Sequence, residues 1–135
     1  MSRKILQPAH WARPKGYANG VSVALARGQQ VFVAGMIGWD AQGKFDSDDL
    51  VAQVRRALHN IVEVLAEAGA RPEHIVRMTW YLCDKREYLR RGKEIGAVFR
   101  ELIGGFDVAM TAVQVAALIE DRAQVEIEVT AVIPD

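Results

Sequence analysis

The sequence predicts an α+β fold in the order β-β-α-β-α-β-β, with two helices on one face of a mixed sheet. Three observations carry this. Residues 109–133 alternate apolar and polar side chains with period two on both sides of Ile119-Glu120-Asp121-Arg122, a strand–turn–strand pattern that sets the core face. Residues 50–65 place Leu50, Val54, Ala57, Leu58, Ile61 and Leu65 on one helical stripe. Two further runs, at 31–36 and 75–83, are apolar on both strand faces.

In chain order, residues 1–19 read as irregular, because Pro8, Pro14 and Gly16 interrupt any period. Val21, Val23 and Leu25 mark a first strand, and Gly28 supplies the hairpin connection to Val31-Phe32-Val33-Ala34-Gly35-Met36. Gly43 turns the following loop. Asp46-Ser47-Asp48-Asp49 opens the first helix by capping free N–H groups, and Gly69 ends it in a left-handed cap. Pro72-Glu73-His74 turns into the third strand. There Val76, Met78, Trp80 and Leu82 form one face, and Ile75, Tyr81 and Cys83 the other. Asp84 with Glu87 forms a capping box for a second helix. Its buried stripe is Tyr88, Leu89, Gly92, Ile95, Val98, Phe99 and Leu102, and Gly104-Gly105 stops it. The last strand carries Val125, Ile127, Val129, Ala131 and Ile133 on its core side and Glu126, Glu128 and Thr130 opposite.

The 135 residues make one domain, 1–135, long enough to bury a core. Seventeen basic residues balance seventeen acidic ones, so no overall field favours nucleic acid or an anionic membrane. Arg86, Arg90 and Arg91 form the one basic cluster, read as a solvated helix face. A single cysteine, Cys83, excludes an intrachain disulfide framework and a thiolate-rich metal site. With no export signal or long apolar run, a cytoplasmic location is expected. Two helices cover one sheet face only, while two strands are apolar on both. A second copy of the chain is therefore expected on the open face.

Motifs for phosphate binding, zinc hydrolysis and serine nucleophiles are absent. His10, His59 and His74 lie far apart, and Cys83 reads as a small apolar filler. Glu126 and Glu128 remain, with Tyr17 and Gly35 as wall elements. Carboxylates on a strand are ordinarily a solvated face. On a face buried by a partner chain, one of them can instead orient water or accept a proton.

Several segments together resemble the RidA/YjgF family of reactive-intermediate deaminases. They are Gly16-Tyr17-Ala18-Asn19-Gly20, Val31 to Ile37, Ile75 to Leu82, Thr111 to Leu118, and Val125-Glu126-Ile127-Glu128. The resemblance implies a chorismate-mutase-like, ferredoxin-like fold and a homotrimer whose sheets form a central barrel. It also implies small-molecule sites in the clefts between subunits, with no metal or organic cofactor. Active members hydrolyse enamines and imines. An arginine pairs with the substrate carboxylate, and a glutamate positions water. By this likeness Glu126 is the catalytic residue, and Tyr17, Gly35, Met110 and Ala112 line the substrate cleft.

The arginine position falls on Met110, within Val108-Ala109-Met110-Thr111, and a position that often holds asparagine falls on Gly96. A thioether cannot pair with a carboxylate, and losing such a pair costs on the order of 2–5 kcal/mol of affinity. Three functions follow as expectations: a deaminase-type hydrolase of altered specificity, a metabolite-binding trimer without turnover, and an RNA-directed protein. The balanced charge and missing base-stacking motif argue against the third. No membrane or nucleic-acid partner is expected.

Overall fold

The computed structural model describes residues 3–15, 17–105 and 108–135. Met1, Ser2 and Gly16, read above as part of the irregular entry segment, lie outside the described residues. Nine elements follow in order: β1 (Arg3–Leu6), β2 (Gly20–Ala24), β3 (Gln29–Ile37), α1 (Leu50–Glu67), β4 (Ile75–Leu82), α2 (Lys85–Arg90), α3 (Gly92–Leu102), β5 (Ala109–Gln114) and β6 (Val125–Ile133). They form one six-stranded mixed sheet in the order β1-β2-β3-β6-β4-β5, with the helices against one face. The α+β class is as the sequence predicts.

The last strand lies in the middle of the sheet. β6 pairs antiparallel with both β3 and β4, and Val125, Ile127, Val129 and Ala131 sit fully buried beneath α1. The α1 stripe meets them as its spacing requires: Leu50, Val54, Ala57, Leu58, Ile61 and Leu65 are all buried. Asp49 caps α1 by accepting from the Ala52 N–H, and Gly69 has φ +75°.

Four expectations need correction. First, the entry segment contains a strand. β1 pairs with β2 from Arg3↔Val23 to Leu6↔Gly20, and Leu6 is fully buried. Four residues are too few for a period to show, and backbone pairing with an edge needs none. Second, β5 and β6 are not a hairpin. β4 lies between them and β5 runs parallel to β4, with Thr79↔Thr111 and Trp80↔Ala112 in register. Alternation reports a pleat and says nothing about which strand is the neighbour. As the sheet edge, β5 buries none of its residues, so β6 alone sets the core face.

Third, a bulge between Ile75 and Arg77 turns Ile75 into the core and Val76 outward. The second face of β4 is then Arg77, Thr79 and Tyr81, so the open sheet face is more polar than two-faced apolar strands imply. Fourth, the second helix breaks at Arg91 into α2 and α3, giving three helices rather than two. Gly92, a poor helix former, follows the break. Asp84 caps α2 through the Arg86 and Glu87 N–H groups, but Glu87 binds Arg90 and Arg91 instead of closing a capping box. Arg91 also holds Asp49 and Glu94, each at 2.9 Å, tying α3 to the start of α1. Leu89, assigned above to the buried stripe, is 70% exposed.

Two buried amides on α1 organise the loops. Asn60 donates to the Ile37 and Trp39 carbonyls, at 3.2 and 2.9 Å. Gln53 donates to the Ser47 and Arg122 carbonyls and accepts from the Gln124 N–H at 2.8 Å. It thereby pins the turn before β6 to the loop before α1. Gly38 makes the approach possible, since a Cβ there would stand 2.6 Å from the Gln53 Cβ. Gln53→Ala strands three backbone groups at once. We expect a loss of about 2–4 kcal/mol, read as a lower urea midpoint with unchanged m-value at fixed protein concentration.

Candidate functional site

Glu126 stands on β6 between Ile37 of β3 and Tyr81 of β4. Its neighbours Val125 and Ile127 point into the core, so the pleat sends Glu126 to the open face. β3 bulges just beyond this pair, between Val33 and Met36, and Gly35 lies in the bulge. A Cβ at Gly35 would come within 2.6 Å of the Glu126 Oε2. Glycine at 35 is thus what makes room for the carboxylate.

The two glutamates of β6 differ in state. Glu128 accepts from the Tyr81 hydroxyl at 2.8 Å. That bond, followed by partial burial, raises the Tyr81 pKa above the ordinary phenol value. Glu126 has no hydrogen-bond partner among the described residues. Partial burial, and then the charge of Glu128, raise its pKa above the ordinary glutamate value. One carboxylate is held as an acceptor; the other is half-buried and disposed to take a proton, as a general base must be. Tyr81 was missed in the sequence because nothing local links it to Glu128; only the β4–β6 register does.

Met110 and Ala112 lie elsewhere. They are in register with Met78 and Trp80, whose side chains are in the helix-covered core. Met110, 44% exposed, lines a cleft of about 270 Å³ between β5 and α3, with Trp80, Tyr88, Gly96, Phe99 and Arg100. Ala112 is exposed and outside that lining. Tyr17 is 55% exposed in the loop before β2. Two residues on, the Asn19 carbonyl accepts from the Ala34 N–H at 2.8 Å, fastening this loop beside the Gly35 bulge. A single chain therefore brings Gly35 and Glu126 together, but leaves Met110 on the opposite side of the sheet from them. A larger cleft of about 440 Å³ lies along α1, but its basic side chains have partners: Arg55 with Glu101, Arg56 with Asp46, His59 with Glu63. Among the described residues no group of His, Cys, Asp and Glu is placed to hold a metal.

The family model described as Endoribonuclease L-PSP matches residues 12–133. The chain belongs to this family, which is the RidA/YjgF family. This RidA-family chain is 26% identical to the human 2-iminobutanoate/2-iminopropanoate deaminase, over 98% of its own length and 93% of the relative's. Its fold matches a Mycobacterium tuberculosis member of the YjgF/YER057c/UK114 family with TM-score 0.74 and 31% identity, covering 96% and 98% of the two chains. It also matches E. coli TdcF with bound serine, at TM-score 0.78 and 27% identity over the same shares.

The raised pKa of Glu126 gives a signed expectation. The folded protein holds this proton more tightly than the unfolded chain, so the contribution to stability is present at low pH. It is lost as pH rises from the ordinary glutamate value through the folded one. Glu126→Gln removes that loss. Relative to the parent, the variant is expected to gain more in melting temperature at pH 7 than at pH 4, measured by thermal unfolding in matched salt.

Proposed function

We propose that this protein is a cytoplasmic, deaminase-type hydrolase acting on enamine or imine metabolites, working as a homotrimer with its sites at the seams between subunits. The observation that carries the reading is Glu126: a half-buried carboxylate of raised pKa, unpaired among the described residues, given room by Gly35. In imine hydrolysis water adds to the C=N carbon and loses a proton to the base. The nitrogen gains a proton, and the carbinolamine collapses to a carbonyl compound and ammonia. Glu126 is suited to taking the water's proton and returning it to nitrogen. No step needs a metal or organic cofactor.

The trimer is supported by the separation of the two half-sites. Gly35 and Glu126 sit on the open face, Met110 at the helix-side edge, and a second copy can set one half against the other. The exposed Phe32, Leu89 and Val113 around these surfaces fit such contacts. Tyr17 and Ala112, both exposed, belong to the same proposed seam. The family resemblance and the likeness to the human imine deaminase support the reaction class, and Met110 supports altered specificity. The same thioether favours a second reading, a trimer that binds a metabolite without turnover.

Ammonia release from freshly generated imines, followed by a coupled assay, separates the two. We expect release that falls at least about a hundredfold in Glu126→Gln. Met110→Arg is expected to improve kcat/KM for small anionic imines by about tenfold or more. Ligand-induced thermal stabilisation with no ammonia from any imine in the panel would establish the binding reading instead.

A further inference from the structure

The cleft beside Met110 has a composition of its own. Its floor is aromatic: Trp80 meets Tyr88 edge-on with ring centroids 6.0 Å apart and Phe99 at 6.5 Å. Met110 forms an apolar wall from β5, and Gly96 leaves the α3 side open. Arg100, one turn beyond Gly96, completes the lining. A Cβ at Gly96 would lie 3.3 Å from an Nη atom of Arg100, so the guanidinium lies across the space that a side chain at 96 would occupy.

Among the arginines of the helices, Arg100 and Arg86 hold no carboxylate of the described residues, and of these two only Arg100 lines the cleft. Arg55, Arg90, Arg91 and Arg122 each hold a carboxylate. Arg100 makes no ion pair or side-chain hydrogen bond with the described residues. A solvated arginine alone would mean little. This one lies at an open aromatic cleft, and the pair defines a ligand: an anionic group for the guanidinium's forked donors and an apolar group for the floor.

We infer that Arg100 anchors the substrate carboxylate and that the cleft receives an aromatic or bulky aliphatic side chain, making the substrate class 2-imino acids with large apolar substituents. The identity of the reacting group rests on the function proposed above; the pairing of acid and apolar body rests on the cleft alone. The charge missing from β5 is supplied from α3, and the space left by a methionine and two glycines, Met110 beside Gly92 and Gly96, goes to the substrate. A small imino acid would reach the guanidinium but leave the aromatic floor wet.

Calorimetric titration of the full-length protein tests this with three stable probes. Phenylpyruvate carries acid and ring, pyruvate the acid alone, and phenylacetone the ring alone. Phenylpyruvate is expected to bind at least about tenfold tighter than pyruvate. Arg100→Met should weaken phenylpyruvate by about tenfold to a hundredfold and change phenylacetone by less than about twofold. Gly96→Leu, which fills the cleft and keeps the charge, should abolish binding of both ring-bearing probes. Equal affinity of the parent and Arg100→Met for phenylpyruvate, or equal affinity of the parent for phenylpyruvate and pyruvate, overturns the inference. The outcome is separable from the hydrolase reading. Arg100-dependent binding with no ammonia release sustains the cleft and removes the enzyme, whereas ammonia release with Arg100-independent binding does the reverse.

Discussion

The structure depends on the pleat of one strand. β6 occupies the middle of the sheet, and its period of two commits each residue to a side. Val125, Ile127, Val129 and Ala131 must face the helices if the core is to close. Glu126 and Glu128 are then forced onto the opposite face, flanked by β3 and β4. A slip of one residue would bury two carboxylates under α1 and expose the whole apolar row. Core and candidate site are thus one constraint seen from two sides, and the hydrophobic effect that holds β6 in register also aims the carboxylates.

The same strand explains why the two glutamates are unequal. They stand two residues apart on one face, so their charges repel, and the Tyr81 hydroxyl binds only one of them. Tyr81, brought across from Glu126 by the β4–β6 register, gives its hydroxyl to Glu128. Glu126 receives no such bond from the described residues, and the β3 bulge partly encloses it. Burial without a donor favours the protonated form, and so does a like charge nearby. The asymmetry needs no special residue at 126: it follows from which glutamate the tyrosine reaches.

Much of this is legible in the sequence, in proportion to how local the determining interaction is. The α1 stripe, its Asp49 cap, Gly69 and the inward row of β6 depend on spacings within one element, and reading them needs no knowledge of neighbours. The outward placement of Glu126 follows from the same spacing. What escapes is set across elements. β5 looks like the first half of a hairpin because its alternation cannot disclose that β4 intervenes. Val76 looks like core until a bulge shifts the phase of its strand. The break at Arg91 has a local hint in Gly92, but the residue is held by three carboxylates, one of them the Asp49 that caps α1. Gln53 and Asn60 sit on the helix as ordinary amides, and only the loops arriving from elsewhere show why they are buried. Arg100 gives no sequence signal, since only the fold brings it to the cleft beside Met110.

The two half-sites share one physical device. At each, a glycine stands where a side chain would collide with a charged group: Gly35 before the Glu126 carboxylate, Gly96 before the Arg100 guanidinium. The tolerances differ. At Gly35 the obstruction would be severe and would fall on a half-buried strand residue with little freedom to move. At Gly96 it would be mild and would fall on the far end of a long, flexible arginine. The carboxylate half is therefore the rigid part of the arrangement, fixed by strand register. The guanidinium half is adjustable, because a helix side chain can swing where a strand side chain cannot. In the proposed hydrolase, chemistry falls to the rigid side and substrate choice to the adjustable one. In the proposed site, an anion anchor on α3 in place of β5 would accordingly alter what the cleft accepts and leave the position of Glu126 untouched.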